Sequence, residues 1–598
     1  MPSPVLLVVV PLLLAALLEG FRKLVPRWLA DALSLLAALS NFVLASAWAL
    51  HALTRTQVYW FGNWYPRGSM ALGIGFVMDP LGCGLAALTA LLATLAFLFS
   101  WKHTEHGGGH YHPLMLVFLA AMSGFAITGD LFNLFVFFEL MSTAAFALCG
   151  LKTAEPAPLA GAFNFAVTNT VAAFMILTGI GLLYSTTGAL NLAQIGLLLA
   201  GRHDRLVLAA FVFLMTGFLV KAASFPFHFW LPDAHAVAPT PVCALFSGIM
   251  VPLGLFGAMR LYATVFQGCF ASTPVHWLFV AAGALTALWG GLMCFAEHHL
   301  KRLLAFSTIS HMGLMTLAFG LWTKSALTGL FLYLVAHGLV KAALFFTAGI
   351  LLHRFRTISE PALFARGKKL HRTAALWMLG GLGLAAAPGF ALYAGESRVT
   401  AHAPWSEALF LFAGVLTGAA VLRVGLRDFF AIGDHGPTDT SAKVDESPET
   451  DPANQRIPWF LFAPPLLCLA AAIGLAFWPA FANAAFSSAV RFLDFSSYAH
   501  AVYSGATPAT LLAAPHQPLL TDLLSDLLFS LLRIALAAAL AFWAVLHLRL
   551  PRSLRWPSHL EGSMAPMRSL QSGHPGDYVA WLTLGFALLG AAAFWLGL

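Results

Sequence analysis

Charged side chains are scarce in this sequence. Lys, Arg, Asp and Glu make up 10% of its 598 residues, whereas 60% are hydrophobic and the mean hydropathy is +0.81. A soluble core of this size does not need so much apolar surface, so the composition predicts an integral membrane protein. The net charge of +7 is typical of basic cytoplasmic loops in such a protein, and we expect no nucleic-acid partner.

The sequence also lacks the motifs that hold cofactors. Its six cysteines lie in or beside apolar runs, with no CxxC pair and no metal-ligand spacing. It contains no phosphate-binding P-loop and no G-x-S-x-G nucleophile elbow. These absences argue against iron–sulfur, zinc and disulfide chemistry and against an autonomous catalytic site, so we expect neither a cofactor nor a bound metal.

Long apolar runs are abundant instead. A membrane-crossing helix needs roughly 20 apolar residues, and on that scale the sequence predicts an all-α polytopic protein of about 14 to 16 transmembrane helices. The N-terminus has no basic region or clear cleavage site, so we interpret it as an uncleaved first span. The candidate spans lie near residues 4–18, 33–53, 76–100, 113–128, 131–150, 161–184, 206–235, 241–262, 276–296, 303–320, 326–352, 374–401, 405–430, 458–481, 519–547 and 578–598.

Lys and Arg are concentrated in alternate connections between these spans. The most basic connection is HRFRTISEPALFARGKKLHR, between the eleventh and twelfth spans. By the positive-inside rule, this loop and the other odd-numbered loops are cytoplasmic, and both termini lie outside the cell (inner) membrane. Residues 433–456 are polar and rich in Pro, Asp, Glu and Thr, which predicts a mobile cytoplasmic loop.

Two of the predicted spans are interrupted. Residues 206–235 are too long for one straight crossing, contain Pro226 and carry Lys221 near their midpoint. The twelfth span shows the same combination of a proline and a charged residue inside an apolar run, with Pro388 followed by Glu396. Paired broken helices indicate a transporter built from inverted repeats, although two unrelated proline kinks would give the same pattern.

Charges inside the membrane are expensive, so each is a candidate functional residue. Asp130 begins a span, and we expect it to cap that helix, with a transport role as the alternative. Glu139 follows nine residues later, about 13 Å deep at 1.5 Å per residue. We predict that Glu139 pairs with Lys221 in a switchable proton relay, with Pro226 opening the helix to water beside the lysine. The alternative is a static salt bridge that joins two helices.

A second group of polar residues lies further along the chain. His337 and Lys341 are four residues apart, which places them on one helical face. With His311 and Glu396, they are predicted to continue a hydrated polar axis through the second half. A single buried histidine is also compatible with a purely structural hydrogen bond.

Four segments together resemble a known family: GDLFNLFVFFEL, KAASFPFHFWLPDAHAVAPTPVCALFSGIM, HLKRLLAFSTISHMG and AHGLVKAALFFTAG. They are similar to the proton-translocating, antiporter-like membrane subunits. That family comprises the D-type subunit of Mrp-type Na⁺/H⁺ antiporters, chains L, M and N of the membrane arm of complex I (NADH-quinone oxidoreductase), and hydrogenase membrane subunits. GDLFNL and residues 187–196 favour the D type of the Mrp antiporters, whereas PGFALYAGES resembles complex I chain M or a hydrogenase subunit.

The resemblance implies two inverted five-helix repeats and partner subunits in a larger membrane complex that moves H⁺ and, in some members, Na⁺. It places the family's relay positions on Glu139, Lys221, Lys341 and Glu396. The expected division is 1–110 for the N-terminal helices, 111–262 and 263–430 for the two antiporter-like repeats, 431–457 for the polar loop and 458–598 for the C-terminal helices.

One residue departs from the family pattern. Pro252 stands where the eighth helix usually carries Lys or His, and proline cannot carry a proton. The link between the halves must then use water, His228, His235 or another group. This departure keeps two alternatives open: a non-pumping scaffold subunit of a hydrogenase or quinone-oxidoreductase complex, and a self-contained transporter of a small solute.

Overall fold

The computed structural model describes residues 1–101, 109–433, 449, 457–508, 512, 520–546 and 567–597. Within these residues, twelve helices are long and apolar enough to cross a membrane, and two shorter apolar helices accompany them. Most of the predicted polar loop, including 434–448 and 450–456, lies outside the described residues. The chain is therefore a polytopic helical protein, as its composition predicts, while the total of 14 to 16 spans stays a prediction.

The described residues up to 261 form eleven α-helices. They are α1 Leu6–Gly20, α2 Arg27–Ala52, α3 Pro80–Phe99, α4 Tyr111–Ile127, α5 Leu131–Cys149, α6 Pro156–Thr187, α7 Leu192–Leu199, α8 Arg205–Lys221, α9 Trp230–Val237, α10 Thr240–Leu245 and α11 Val251–Leu261.

The second half begins at α12 and includes the C-terminal helices. Its elements are α12 Ser272–Ala296, α13 Leu300–Gly320, α14 Lys324–Phe355, α15 Glu360–Leu363, α16 His371–Leu384, α17 Ala391–His402, α18 Glu407–Asp428, α19 Trp459–Gly474, α20 Pro479–Phe492, α21 Phe495–Ser504, α22 Leu520–Leu546 and α23 Pro575–Trp595.

Polar residues start several of these helices. Asp130 accepts a hydrogen bond from the backbone amide of Asn133 at 2.8 Å, so it is the N-cap of α5, as the sequence predicts. Asp79 caps α3 in the same way through the amide of Gly82, at 2.7 Å. Such caps satisfy amides that the first helical turn leaves without partners, which matters most where little water is present.

The two interrupted spans break in the same way. Helix α8 ends at Lys221 and α16 ends at Leu384, and two residues later Ala223 and Ala386 have φ of +50° and +47°. Each alanine and its successor donate back to the helix in a Schellman arrangement: Ala223 to Val220, Ser224 to Leu219, Ala386 to Gly383 and Ala387 to Leu382. Glycine normally fills this position, so alanine holds the backbone in a strained conformation at both breaks.

The eighth span is continuous but irregular. It runs from Thr240 to Phe266 and includes two π-helical segments, Phe246–Met250 and Tyr262–Phe266. Pro252 lies in the first turn of α11, directly after the first π segment. Because the π segment already shifts the hydrogen-bond register, the proline is accommodated without ending the span.

Close backbone contacts join the two halves beside this irregular segment. A Cβ atom added at Gly338 of α14 would lie 2.5 Å from the carbonyl oxygen of Gly248, and one at Gly248 would lie 3.1 Å from that of Gly338. No side chain fits at 2.5 Å. The two glycines therefore let α14 and the eighth span approach at a distance that larger residues prevent.

The structure also contains a small antiparallel sheet, which the all-α prediction does not include. Strand β1 (Arg55–Trp60) pairs with β2 (Gly75–Met78) on one side and with β3 (Ala506–Pro508) on the other. The sequence signal for such short strands is weak. The sheet ties the chain after α21 to the connection between α2 and α3.

An ion cluster fixes the connection between α14 and α16. Glu360 is 1% exposed and accepts hydrogen bonds from Arg423 and Arg427 of α18, at distances between 2.8 and 3.0 Å. His298 Nδ1 lies 2.9 Å from the same carboxylate. The cluster joins two connections of the second half, α12–α13 and α14–α16, to helix α18.

Candidate functional site: a buried polar axis

Lys221 is completely buried at the end of α8. Its ammonium donates a hydrogen bond to Ser142 Oγ of α5 at 2.8 Å and lies 5.2 and 5.4 Å from the ring centroids of Phe138 and Phe165. Ser142 is three residues after Glu139, so the hydroxyl and the carboxylate occupy the same side of α5. The broken helix thus points its lysine at the helix that carries the acid.

Glu139 and Lys221 do not form the direct salt bridge that the sequence suggests. Among the described residues, no oxygen of Glu139 lies within 4.0 Å of the lysine nitrogen, and Glu139 Oε1 has no hydrogen-bond partner. Glu139 is only partly buried, and Phe132 and Val136 on the same helix are exposed. The serine hydroxyl takes the position next to the ammonium, while the side chain of Glu139 is half-buried with its Oε1 atom inside the protein. In this conformation the two residues therefore form no contact ion pair, although they interact electrostatically.

His235 lies where the two halves meet. Its ring stacks on Phe345 of α14 with centroids 4.7 Å apart, and the Lys341 ammonium lies 5.3 Å from the centroid of the same phenylalanine. Both nitrogens of His235 are buried without a partner among the described residues. His235 and Lys341 therefore contact the same aromatic ring.

Aromatic rings separate His235 from Lys221. Phe165, which faces Lys221, stacks on Trp230 at 4.4 Å and contacts Phe246 at 5.7 Å. Phe246 in turn contacts His235 at 5.9 Å. The contacts described between the lysine and the histidine therefore run through aromatic rings.

His228 is not brought to this axis. Its ring lies among Phe225, Phe229 and Trp289, at centroid distances from 4.1 to 5.7 Å, and both of its nitrogens lack a partner in the described part of the chain. None of its described contacts is with another residue of the predicted relay. As a linking group between the halves, it is less well placed than His235.

Lys341, His337 and His311 form the second polar group. All three are completely buried. The Lys341 ammonium donates to Ser307 Oγ and to the carbonyl oxygen of Leu304 on α13. His337 lies one turn away on α14, and its ring centroid is 5.4 Å from that of His311.

Hydroxyl groups continue this group toward α18. His311 Nδ1 lies 2.6 Å from the Tyr333 hydroxyl, and its Nε2 lies 3.2 Å from Thr417 Oγ1. A second hydroxyl pair, Ser247 with Thr308 at 2.6 Å, lies beside the lysine and reaches the eighth span. The hydroxyl groups of serine, threonine and tyrosine can each donate and accept a hydrogen bond. A chain of such groups can therefore be hydrogen-bonded in either direction.

Glu396 lies beyond the second break, in α17, and is 5% exposed. Its carboxylate forms an ion pair with Arg533 of α22. Arg533 is a functional candidate that the sequence analysis missed. The signal was available, because this arginine interrupts the apolar run FSLLRIALAAALAFW just as Lys221 interrupts its own.

Another buried pair lies at the start of α13. Lys301 is 1% exposed and donates to Glu449 at 2.8 Å and to the carbonyl oxygen of Ala238 at 3.0 Å. Glu449 falls in the segment predicted as a mobile loop, yet it is 8% exposed and accepts from the amide of Thr240. Burial opposes ionisation of Glu449, but the charges of Lys301 and Lys152 together with the hydrogen bonds from Lys301 and Thr240 outweigh it, and the pKa of Glu449 is lowered. At this residue the prediction of a solvated loop is wrong.

The described residues contain no group of three or more His, Cys, Asp and Glu side chains arranged to hold a metal ion. Their ionisable side chains are instead spread in small groups through the bundle. Buried ionisable groups of this kind can hold a small ion or a proton at successive positions.

A family model described as NADH:quinone oxidoreductase/Mrp antiporter, TM, matches residues 128–423. The NADH-quinone oxidoreductase subunit N of Desulforudis audaxviator is 34% identical over 347 residues, 54% of this chain and 68% of the relative. The D-type subunit of the Na(+)/H(+) antiporter of Alkalihalophilus pseudofirmus is 30% identical over 354 residues, 57% of this chain and 69% of the relative. The chain belongs to this family of membrane subunits.

The chain also has the fold of one subunit in a solved complex. A chain in the structure of the Mrp complex from Dietzia sp. superimposes with a TM-score of 0.73 over 84% of this chain and 99% of that chain, at 24% identity. The family resemblance read from the sequence is thereby confirmed, and so is the antiporter-like membrane fold. The matched family segment contains both broken helices and every predicted relay residue.

Proposed function

We propose that the chain is a proton-translocating membrane subunit of a multisubunit complex, either an Mrp-type cation/proton antiporter or a complex I-like assembly. The observation that carries the proposal is the pair of matching helix breaks, one beside Lys221 and the other before Glu396. Each break interrupts the regular helical hydrogen bonding inside a predicted span, and backbone irregular in this way is tolerated at membrane depth where it is buried in protein or lines a hydrated path.

The polar groups supply stations for a proton between these breaks. The proposed relay runs from Glu139 through Ser142 and Lys221 to His235, and then along Lys341, His337 and His311 to Glu396, with His228 as a side branch. The nitrogens of His235 and His337 are buried without protein partners among the described residues. Buried polar groups are normally hydrogen-bonded, so these are the positions where water would complete the path.

Partner subunits complete the proposed assembly. Glu139 is only partly buried and has exposed apolar neighbours, which is the arrangement expected if the first station faces another membrane subunit. We place the complex in the cell (inner) membrane, with basic loops in the cytoplasm and both termini outside. The repeats at 111–262 and 263–430 form the transporting core, and 458–598 add the C-terminal helices.

Transport in vesicles tests the proposal. In membrane vesicles that contain the assembled complex, Lys221→Ala and Lys341→Ala should each abolish ΔpH-linked transport, measured with a pH-sensitive dye. Lys324→Ala is a matched control because this lysine starts α14, the helix of Lys341, but is exposed. Complex assembly, followed on native gels, should be equal in all variants. Wild-type transport in both buried-lysine variants would refute the relay.

A non-pumping scaffold is the second candidate function, and the aromatic rings between Lys221 and His235 favour it. If those rings interrupt the path, a base at position 252 would not restore it. Pro252→Lys should raise proton flux per assembled complex if water bridges the halves. Loss of assembly without any gain in flux, together with no wild-type flux through this subunit, would support the scaffold.

A further inference from the structure

The C-terminal helix α22 lies outside the segment that the family model matches, yet it inserts one charged side chain into the second half. Arg533 is 1% exposed, and α22 packs along α18. An arginine in an apolar interior is costly unless it is paired. The contacts of the Arg533 side chain therefore indicate its role.

The Arg533 guanidinium contacts both sides of the second helix break. One end forms the ion pair with Glu396, on the helix after the break. The other end donates to the carbonyl oxygen of Ala386 at 3.3 Å, and Ala386 is the residue with positive φ at the break itself. Ser530, one turn earlier on α22, accepts from the same nitrogen at 3.2 Å.

The neighbouring helix has a glycine where the arginine passes. A Cβ atom added at Gly414 of α18 would lie 2.9 Å from Arg533 Cδ, and one at Gly418 would lie 2.9 Å from the Cβ of Ala385. Gly414 therefore leaves room for the arginine side chain, and Gly418, one turn later, leaves room for the backbone at the break.

We propose that Arg533 is a positioning residue for the last station of the relay: it holds Glu396 as a carboxylate against the broken helix, so a proton reaches Glu396 only when the pair opens. This inference rests on the proposed function for its consequence in transport, but not for the pair itself. Arginine does not release its proton in proteins, so Arg533 is not a station. It competes with the proton for the same oxygen.

Two other titratable groups interact electrostatically with members of this ion pair. Tyr333 of α14 interacts electrostatically with Glu396, and His311 of α13 interacts with Arg533. Both contact each other through the hydrogen bond between Nδ1 and the hydroxyl. Opening of the Arg533–Glu396 pair would therefore change the electrostatic environment of His311, the preceding station of the proposed relay. This interaction links α22 to the polar axis.

Infrared difference spectroscopy of the assembled complex tests the pair directly. In the wild type, Glu396 should give a carboxylate signal at neutral pH, identified by its absence in Glu396→Gln. In Arg533→Gln, the same residue should give a protonated carboxyl signal, because its counter-ion is gone. Arg533→Lys should keep the carboxylate signal. An unchanged carboxylate in Arg533→Gln would overturn the proposal.

Transport provides the second measurement. Arg533→Gln should lose ΔpH-linked flux, and the double variant with Glu396→Gln should lose no more than Glu396→Gln alone. Gly414→Ala, which pushes on the arginine, should change flux in the same direction, whereas Gly474→Ala, with no atom within 4 Å of the added Cβ, should not. If Lys221→Ala stops flux but Arg533→Gln does not, this inference fails and the proposed function stands. If Lys221→Ala also has no effect, the proposed function fails, and the infrared result still decides the pair.

Discussion

Replacing Glu360 with glutamine should destabilise the protein strongly. The Glu360 side chain is 1% exposed, and its two oxygens are paired with Arg423 and Arg427, whose side chains are 4% and 5% exposed. Removing one member of a buried ion pair leaves its partners charged and desolvated, which costs about 3–5 kcal/mol. Glutamine keeps the shape of glutamate, so the loss comes from charge rather than packing.

An exposed pair in the same protein provides the control. Arg202 and Asp204 are 2.6 Å apart, but their side chains are 42% and 48% exposed. Exposed pairs contribute about 0–1 kcal/mol, so Asp204→Asn should hardly change stability. Apparent unfolding temperatures of both variants in the same detergent compare the two costs. Equal shifts in the two variants would refute the argument from burial.

The same carboxylate predicts a pH dependence. Burial opposes ionisation of Glu360, but Arg423, His298 and Arg427 outweigh it and hold its pKa well below the ordinary value of 4.5. A group with a lowered pKa in the folded state stabilises the fold above its unfolded pKa and loses that contribution as pH falls toward the folded one. The unfolding temperature of the wild type should therefore decline below pH 4.5. Glu360→Gln should decline less over the same range.

Three further predictions concern the backbone and the topology. Ala386→Gly and Ala223→Gly should each raise stability by up to about 1 kcal/mol in thermal unfolding, since glycine relieves the strain of positive φ; a loss would show that the alanine side chains stabilise the breaks. Gly338→Ala should impair assembly on native gels because its Cβ would meet a carbonyl oxygen, while Gly181→Ala, with open space around it, should not, and equal assembly of the two would contradict the close helix contact. A cysteine at Lys368 should resist labelling by a membrane-impermeant reagent from outside, whereas one at Lys324 should react; the reverse pattern would invert the proposed orientation.

Much of the site could be predicted because a charge inside an apolar run is conspicuous. Glu139, Lys221 and Lys341 are each isolated among hydrophobic residues, and burial makes such charges costly enough to require a reason. The helix breaks were also visible, since Pro226 and Pro388 interrupt long spans. Their identical hydrogen-bonding pattern was not visible, because it depends on alanines that have no special sequence signal for positive φ.

The apolar runs, the prolines and the isolated charges were sufficient to predict a polytopic membrane protein, the places where its helices break and the charges that lie within them. Periodicity and hydropathy report which residues are buried, but not which helices are neighbours. The packing of the helices was needed to show that Ser142 rather than Glu139 contacts Lys221, and that Arg533 reaches Glu396 from a helix more than a hundred residues away. Contacts between distant segments depend on how whole helices pack, and that information is spread over many weak apolar contacts rather than carried by a local motif.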